Sequence, residues 1–184
     1  MSVQRPAAEA LPGHRQSFGP YRVCLVCLGN ICRSPMAEVV LREELARAGL
    51  AGAVTVESAG TGDWHLGQRM DRRARAELAR RGFDGSRHRA RQISSDWLER
   101  FDLLVAMDAS NLRDLHRMAA GRPDLADRIR LFRSFDPAAP AGAQVPDPYG
   151  GGHDEFARVF DMMQAAARGL AAELADMLAE RAGD

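Results

Sequence analysis

Tyr21-Arg22-Val23-Cys24-Leu25-Val26-Cys27-Leu28-Gly29-Asn30-Ile31-Cys32-Arg33-Ser34-Pro35 is the stretch that decides how this chain folds. Its first seven residues are nearly all apolar, and a short apolar run bounded by turn residues reads as a buried strand. Gly29 and Asn30 follow, both residue types that tolerate positive φ. Pro35 then opens a helical pattern over 35–48, at a position where its missing N–H costs nothing. Met36, Val39, Val40 and Leu45 supply much of the apolar face, and Gly49 marks the end. A strand, a tight loop and a helix N-terminus in this order aim backbone N–H groups at an anion.

The rest of the chain repeats the alternation. A second strand is expected over 54–58 and a loop carrying Trp64 over 60–70. Asp71 caps a helix over 71–81 that stops at Gly82. A short helix at 95–100 precedes a third strand over 101–107, wholly apolar after Asp102. A helix over 110–118, a fourth strand over 129–135, a loop rich in Pro and Gly over 136–152 and a long helix over 154–180, interrupted only by Gly169, complete it. Strands alternating with helices predict an α/β fold with a mainly parallel sheet. Ligands of such sheets sit beyond the carboxyl ends of the strands, which is where Cys27 falls. Residues 1–20 hold three prolines, two glycines and no periodicity, and read as a flexible extension; 21–184 read as a single domain.

Composition narrows the function. Arg balances Asp plus Glu at 25 each, there is no lysine, and the net charge is zero, so no global field favours nucleic acid or a membrane surface. No apolar run approaches the ~20 residues of a membrane span, and the first residues lack a signal-peptide core. Cys24, Cys27 and Cys32 cluster within nine residues, which speaks for a reducing, cytoplasmic setting rather than a disulfide framework. No metal is expected. Three thiols fall short of the four ligands structural zinc takes, and Cys24 and Cys27, an odd number apart on a strand, point to opposite faces.

The loop itself carries chemistry. A free thiol is mostly protonated at pH 7, but a helix N-terminus and a nearby cation lower a cysteine pKa to roughly 3.5–7.5. Arg33 is that cation and Cys27 the candidate nucleophile. Ser34 offers a hydroxyl to the sulfur. Successive N–H groups of Leu28, Gly29, Asn30, Ile31, Cys32 and Arg33 can ring phosphate oxygens, and the Arg33 fork can grip two of them, which lysine cannot. This is the equipment of a cysteine-dependent phosphatase. Further on, Asp147 sits between Pro146 and Pro148, in a loop expected near the carboxyl edge of the sheet. It suits a proton donor to a leaving phenolate, although a turn-forming Asp before proline reads the same way.

These residues resemble the low-molecular-weight protein tyrosine phosphatases. The resemblance runs from about Tyr21 into the terminal helix, through 26–35, Glu57-Ser58-Ala59-Gly60-Thr61, His88-Arg89-Ala90-Arg91-Gln92, Met107-Asp108 with 110–115, and Asp147-Pro148-Tyr149, in the family's order. It implies a four-stranded parallel twisted sheet with helices on both faces, and hydrolysis of phosphotyrosine with no cofactor. It implies Cys27 as nucleophile, Arg33 as phosphate clamp, Asp147 as general acid, and Asn30, Ser34, Ser58 and His88 as supports of the loop. Asp108 and Asn111 are expected only to shape a helix start. Leu28, Ile31, Trp64 and Tyr149 should line the substrate slot, with His65 at its edge. Ile31 accompanies tyrosine specificity, where members acting on phosphoarginine carry threonine. Many relatives have a second tyrosine after Tyr149; here Gly150-Gly151-Gly152 follows, so a thinner aromatic rim and a more mobile loop are expected. Cys32 is a candidate partner for Cys27 in a protective disulfide. Nine arginines between Arg69 and Arg91 offer a surface that steers acidic phosphopeptides. The partners implied are phosphotyrosine proteins and an opposing kinase, with the enzyme acting as a monomer. Two rival readings are an arsenate reductase on the same fold, which needs relay cysteines that do not occur after Cys32, and a phospho-ligand-binding protein without activity.

Overall fold

The computed structural model describes residues 10–16 and 18–182. Four strands form one sheet: β1 (Tyr21–Cys27), β2 (Val54–Gly60), β3 (Leu103–Ala106) and β4 (Ile129–Leu131). Their order is β2-β1-β3-β4 and every pairing is parallel. Among the described residues five α-helices connect and cover them: α1 (Arg33–Arg47), α2 (Arg72–Arg80), α3 (Ala109–Met118), α4 (Pro123–Ala126) and α5 (His153–Ala182).

Strand alternation sends β1 side chains to two separate cores. Tyr21, Val23, Leu25 and Cys27 join Met36, Val40 and Leu41 of α1 and Phe156, Phe160 and Met163 of α5 on one face. Cys24 and Val26 join Leu104, Ala106, Leu115 and Leu125 on the other. The sheet is therefore buried on both sides, which is why its strands read as continuous apolar runs. It also places Cys24 in a different core from Cys27 and Cys32.

Several boundaries differ from the sequence expectation. β4 ends at Leu131, and Phe132–Phe135 turns into a 3₁₀ helix instead of continuing the strand. Phe132 and Phe135 are buried by that turn, so their apolarity reflects the core rather than strand pairing. Both Phe101 and Asp102 lie outside β3, and the Asp102 carboxylate accepts the Arg22 N–H at 2.7 Å. α4 escaped notice because four residues carry no period. Gly169 does not break α5. A Cβ there would stand 1.8 Å from the Phe135 carbonyl oxygen, so the glycine lets the 3₁₀ turn press against the helix backbone.

The stretch before β1 was expected to be flexible, but residues 10–16 are tied down. The Tyr21 hydroxyl donates to Pro12 O at 2.8 Å, and Arg128 donates to Gly13 O at 2.7 Å. Burial, reinforced by Asp102, pushes the Tyr21 phenol up, which keeps it a donor. The remainder of that expectation, on residues 1–9 and 17, lies outside the described residues. Among the described residues no helix is long and apolar enough to cross a membrane.

Candidate active site

β1 ends at Cys27 and α1 begins at Arg33, so residues 28–32 form a loop at the carboxyl edge of the sheet. Asn30 adopts φ +55°, the left-handed region that asparagine tolerates. Gly29 was expected to share that conformation and does not. Its lack of a side chain provides space instead, since a Cβ there would meet the His65 ring at 2.9 Å. Gly60, paired with Cys27 in the sheet, is also a matter of space. A Cβ on it would lie 2.6 Å from Leu28 O and 3.1 Å from Asn30 N.

The Cys27 sulfur accepts the Asn30 N–H at 3.2 Å and lies 3.0 Å from the Ser34 hydroxyl. Asn30 is the hub of the loop and is fully buried. Its side-chain amide donates to Ser34 Oγ at 2.8 Å and Ser58 Oγ at 3.0 Å. Its Oδ1 accepts the Arg91 N–H at 2.8 Å. Because Ser34 Oγ accepts from Asn30, its own proton is free to point at the sulfur or, more distantly, at Ala59 O at 3.3 Å. The Ser58 hydroxyl donates to the Glu38 carboxylate, which Arg42 neutralises at 2.6 Å. Glu38 and Arg42 were not read as site residues, and no periodicity or motif marks them. Only the approach of α1 to β2 makes them neighbours of the loop.

His88 lies 58 residues from Asn30 in the chain and stands against it, with Nε2 2.6 Å from Asn30 O. A ring nitrogen facing a carbonyl must carry hydrogen, so Nε2 is the protonated one. Burial, helped by Arg91 and Arg89 and opposed by the Asn30 bond and Glu38, holds the His88 pKa below its ordinary 6.5. The unfolded chain therefore binds more protons than the folded one just below that value, and stability falls as pH drops through it. His88→Gln retains a donor but cannot titrate. The melting temperature of the native protein should fall relative to this variant on acidification through about pH 6.5; parallel curves would show that His88 is not the group responsible.

Arg33 is 2 % exposed. Its Nη1 donates to Asp108 Oδ2 at 2.6 Å and to Val145 O at 3.1 Å, and its Nη2 lies 3.4 Å from Asp147 Oδ2. Burial disfavours the guanidinium charge, but Cys27, Asp108 and Asp147 outweigh it and raise the Arg33 pKa. Asp108 does more than shape a helix start. It caps α3 in a capping box with Asn111, and its other oxygen aims Arg33.

Cys27, Leu28, Ile31, Cys32, Arg33, Trp64, Asp147 and Tyr149 line one cleft of about 240 Å³, with Gly29 and His65 on its wall. Trp64 and Tyr149 stay more than half exposed on the rim. A Cβ on Gly62 would fall inside the Trp64 ring, so that glycine seats the indole. His65 stands 6.3 Å from the Tyr149 ring and holds Gln68 at 2.9 Å. Both Cys27 and Cys32 are free thiols. Burial, with Asp71, Cys27 and Asp147 adding to it, pushes Cys32 well up, so Cys32 rests as a thiol. Four of the nine arginines expected to form a positive face between Arg69 and Arg91 are paired: Arg73, Arg80, Arg81 and Arg91 meet Asp71, Glu77 and Glu57.

The loop over 147–152 is held more firmly than three glycines suggest. The Tyr149 N–H bonds Asp147 Oδ1 at 3.1 Å, Gly151 N–H bonds Pro148 O at 2.9 Å, and Gly152 N–H bonds Glu155 at 2.8 Å. Arg73 of α2 reaches across to Gly151 O at 3.0 Å. Sequence reasoning missed this arginine, which looked like one of many on an exposed helix face.

Residues 22–180 match the family described as low molecular weight phosphotyrosine protein phosphatase. A low molecular weight protein-tyrosine-phosphatase of Streptomyces coelicolor is 50 % identical over 163 residues, covering 88 % of this chain and 98 % of its own. The low molecular weight protein-tyrosine phosphatase A of Mycobacterium tuberculosis is 44 % identical over 152 residues, covering 82 % and 90 %. Among solved structures, a protein tyrosine phosphatase from Entamoeba histolytica superposes with a TM-score of 0.79 at 33 % identity, covering 84 % of this chain and 96 % of that one. With the parallel sheet, the anion loop and these relatives in agreement, the chain belongs to the low molecular weight phosphotyrosine protein phosphatases and is an enzyme of that kind.

Proposed function

We propose that this protein hydrolyses phosphotyrosine through a cysteinyl-phosphate, with Cys27 as nucleophile, Arg33 as phosphate clamp and Asp147 as general acid. One observation carries the reading: the Cys27 sulfur, the Arg33 guanidinium and the Asp147 carboxylate open into a single cleft walled by Trp64 and Tyr149. The phosphate sits in the ring of loop N–H groups. Nη1 of Arg33 is committed to Asp108 and Val145, which leaves the other edge of the fork for two phosphate oxygens. The Cys27 thiolate attacks phosphorus in line. An S–P bond forms as the P–O bond to the phenol breaks, and Asp147 gives its proton to the departing oxygen. Charge on the equatorial oxygens is met by donors already in place. Asp147, now a carboxylate, takes a proton from water; the water oxygen displaces the thiolate and phosphate leaves.

Aromatic and apolar walls favour an aryl phosphate, and Ile31 in the cleft supports phosphotyrosine over phosphoarginine. Substrates are phosphoproteins, and a tyrosine kinase is the reaction that supplies them. The enzyme acts as a monomer, and free cysteines suit the cytoplasm. Cys32 beside Cys27 supports its role as a redox partner. The test is phosphate release from matched phosphotyrosine, phosphoserine and phosphoarginine peptides, with chelator present. Release from phosphotyrosine alone, blocked by vanadate, is the expected result. Preference for phosphoarginine, or arsenate reduction in place of hydrolysis, would overturn it.

A further inference from the structure

Arg73 is engaged on every side. Its Nε and Nη2 grip the Asp71 carboxylate at 3.1 and 2.9 Å, and its Nη1 holds Gly151 O at 3.0 Å. The guanidinium carbon lies 5.4 Å from the centre of the Tyr149 ring and 4.9 Å from that of Phe156. Asp71 caps α2 through the Arg73 N–H at 2.7 Å and donates its own N–H to Ile31 O at 2.8 Å. Two short links therefore join the loop that carries Asp147 and Tyr149 to the loop that carries Cys27.

We propose that Arg73 is a positioning residue for the reaction, a brace that holds Asp147 and Tyr149 in register with Cys27. The inference rests on the phosphatase reading above and deepens it. Pro146 and Pro148 stiffen only the start of the acid loop. Gly150, Gly151 and Gly152 have the largest backbone freedom of any residue type, and nothing in their own chemistry confines Asp147. Proton donation is sensitive to placement, and misplacing a group by about 1 Å costs up to ~10²-fold. Arginine suits this brace because its planar edges form hydrogen bonds while its faces stack on rings. Lysine has neither fork nor plane. Burial would raise the Asp71 carboxyl, but the Arg73 hydrogen bonds outweigh it and hold it below the usual range, so Asp71 stays an anion. The Arg73–Asp71 pair is partly exposed and contributes little to stability for that reason. Its value is geometric. The α2 cap uses the backbone N–H of residue 73, which alanine, lysine or glutamine there keeps.

The test compares native enzyme, Arg73→Ala and Arg73→Lys on phenyl phosphate, a poor leaving group, and 2,4-dinitrophenyl phosphate, a good one. Arg73→Ala should lose roughly tenfold or more in kcat on the poor leaving group and little on the good one. Arg73→Lys should recover little of it. In an Asp147→Ala background, adding Arg73→Ala should cost nothing further, because the brace acts through the acid. A thermal melt accompanies each variant, and Arg73→Gln carries the same comparison if the alanine protein fails to fold. Equal losses on both substrates, no loss on either, or full additivity with Asp147→Ala would overturn the proposal. Failure of the phosphatase reading shows separately, as a native enzyme whose hydrolysis does not depend on Cys27.

Discussion

Cys27→Ser is expected to abolish turnover and to leave phosphopeptide binding intact. Serine fits the slot, because the Asn30 N–H and the Ser34 hydroxyl face oxygen as readily as sulfur. The loop N–H groups and Arg33 still take the phosphate. What is lost is the nucleophile: a serine hydroxyl is far less acidic than a thiol, stays protonated and attacks phosphorus poorly. Loss of a covalent nucleophile that works as one unit with its neighbours costs more than ~10⁴-fold in kcat. Phosphate release from a phosphotyrosine peptide measures the rate, and calorimetric titration of the same peptide into the variant measures binding. A serine enzyme that turns over at the native rate would remove Cys27 from the mechanism. The same variant is a trap for physiological substrates in lysate.

Asp147→Ala should slow hydrolysis of phosphotyrosine by roughly 10²–10⁴-fold. The loss should shrink as the leaving group improves, because a weakly basic phenolate departs without a proton. Binding should not weaken. Asp147 lies 3.4 Å from Arg33 Nη2 and competes with phosphate for it, so its removal frees the clamp. KM should therefore stay level or fall while kcat collapses. A uniform loss across leaving groups would assign Asp147 to binding instead of proton transfer.

Both expectations turn on residues that carry their own signals in the sequence. Cys27 and Arg33 are six apart across one loop, so their convergence is a local matter. Once an apolar run ends in a Gly-Asn turn and a proline-led helix, backbone sterics and the helix N-terminus leave few other places for them. Trp64 and Tyr149 were read as walls because a phenyl ring needs them, and they do line the cleft. Asp147 was ambiguous from residues alone, since an Asp before proline shapes turns wherever it occurs.

Other features were silent in the sequence. Glu38, Arg42 and Arg73 sit on amphipathic helices where charged residues normally face water, and nothing local separates them from that use. Asp108 declared its helix cap and concealed its grip on Arg33. Gly29 invites a left-handed reading, but the left-handed residue is Asn30 and the glycine makes room for His65. Gly150-Gly151-Gly152 suggested a loose loop because composition reports backbone freedom and not the tether that removes it. The 3₁₀ turn after β4 looked like more strand, because burial makes a residue apolar whichever backbone carries it.

By itself, the sequence determined the strand–loop–helix unit, the parallel α/β class and the placing of Cys27 and Arg33 at the two ends of one loop. Each of these follows from hydrophobic period, glycine and proline stereochemistry, and short-range spacing. Only the tertiary structure decided what holds that unit rigid and what faces it. The order β2-β1-β3-β4 brings Ser58, His88, Asp108, Val145 and Asp147 to one edge of the sheet from as far as 114 positions beyond Arg33. Hydrogen bonds and ion pairs over such separations depend on where buried surfaces come to rest, and the hydrophobic pattern that drives the burial does not specify which polar groups will meet.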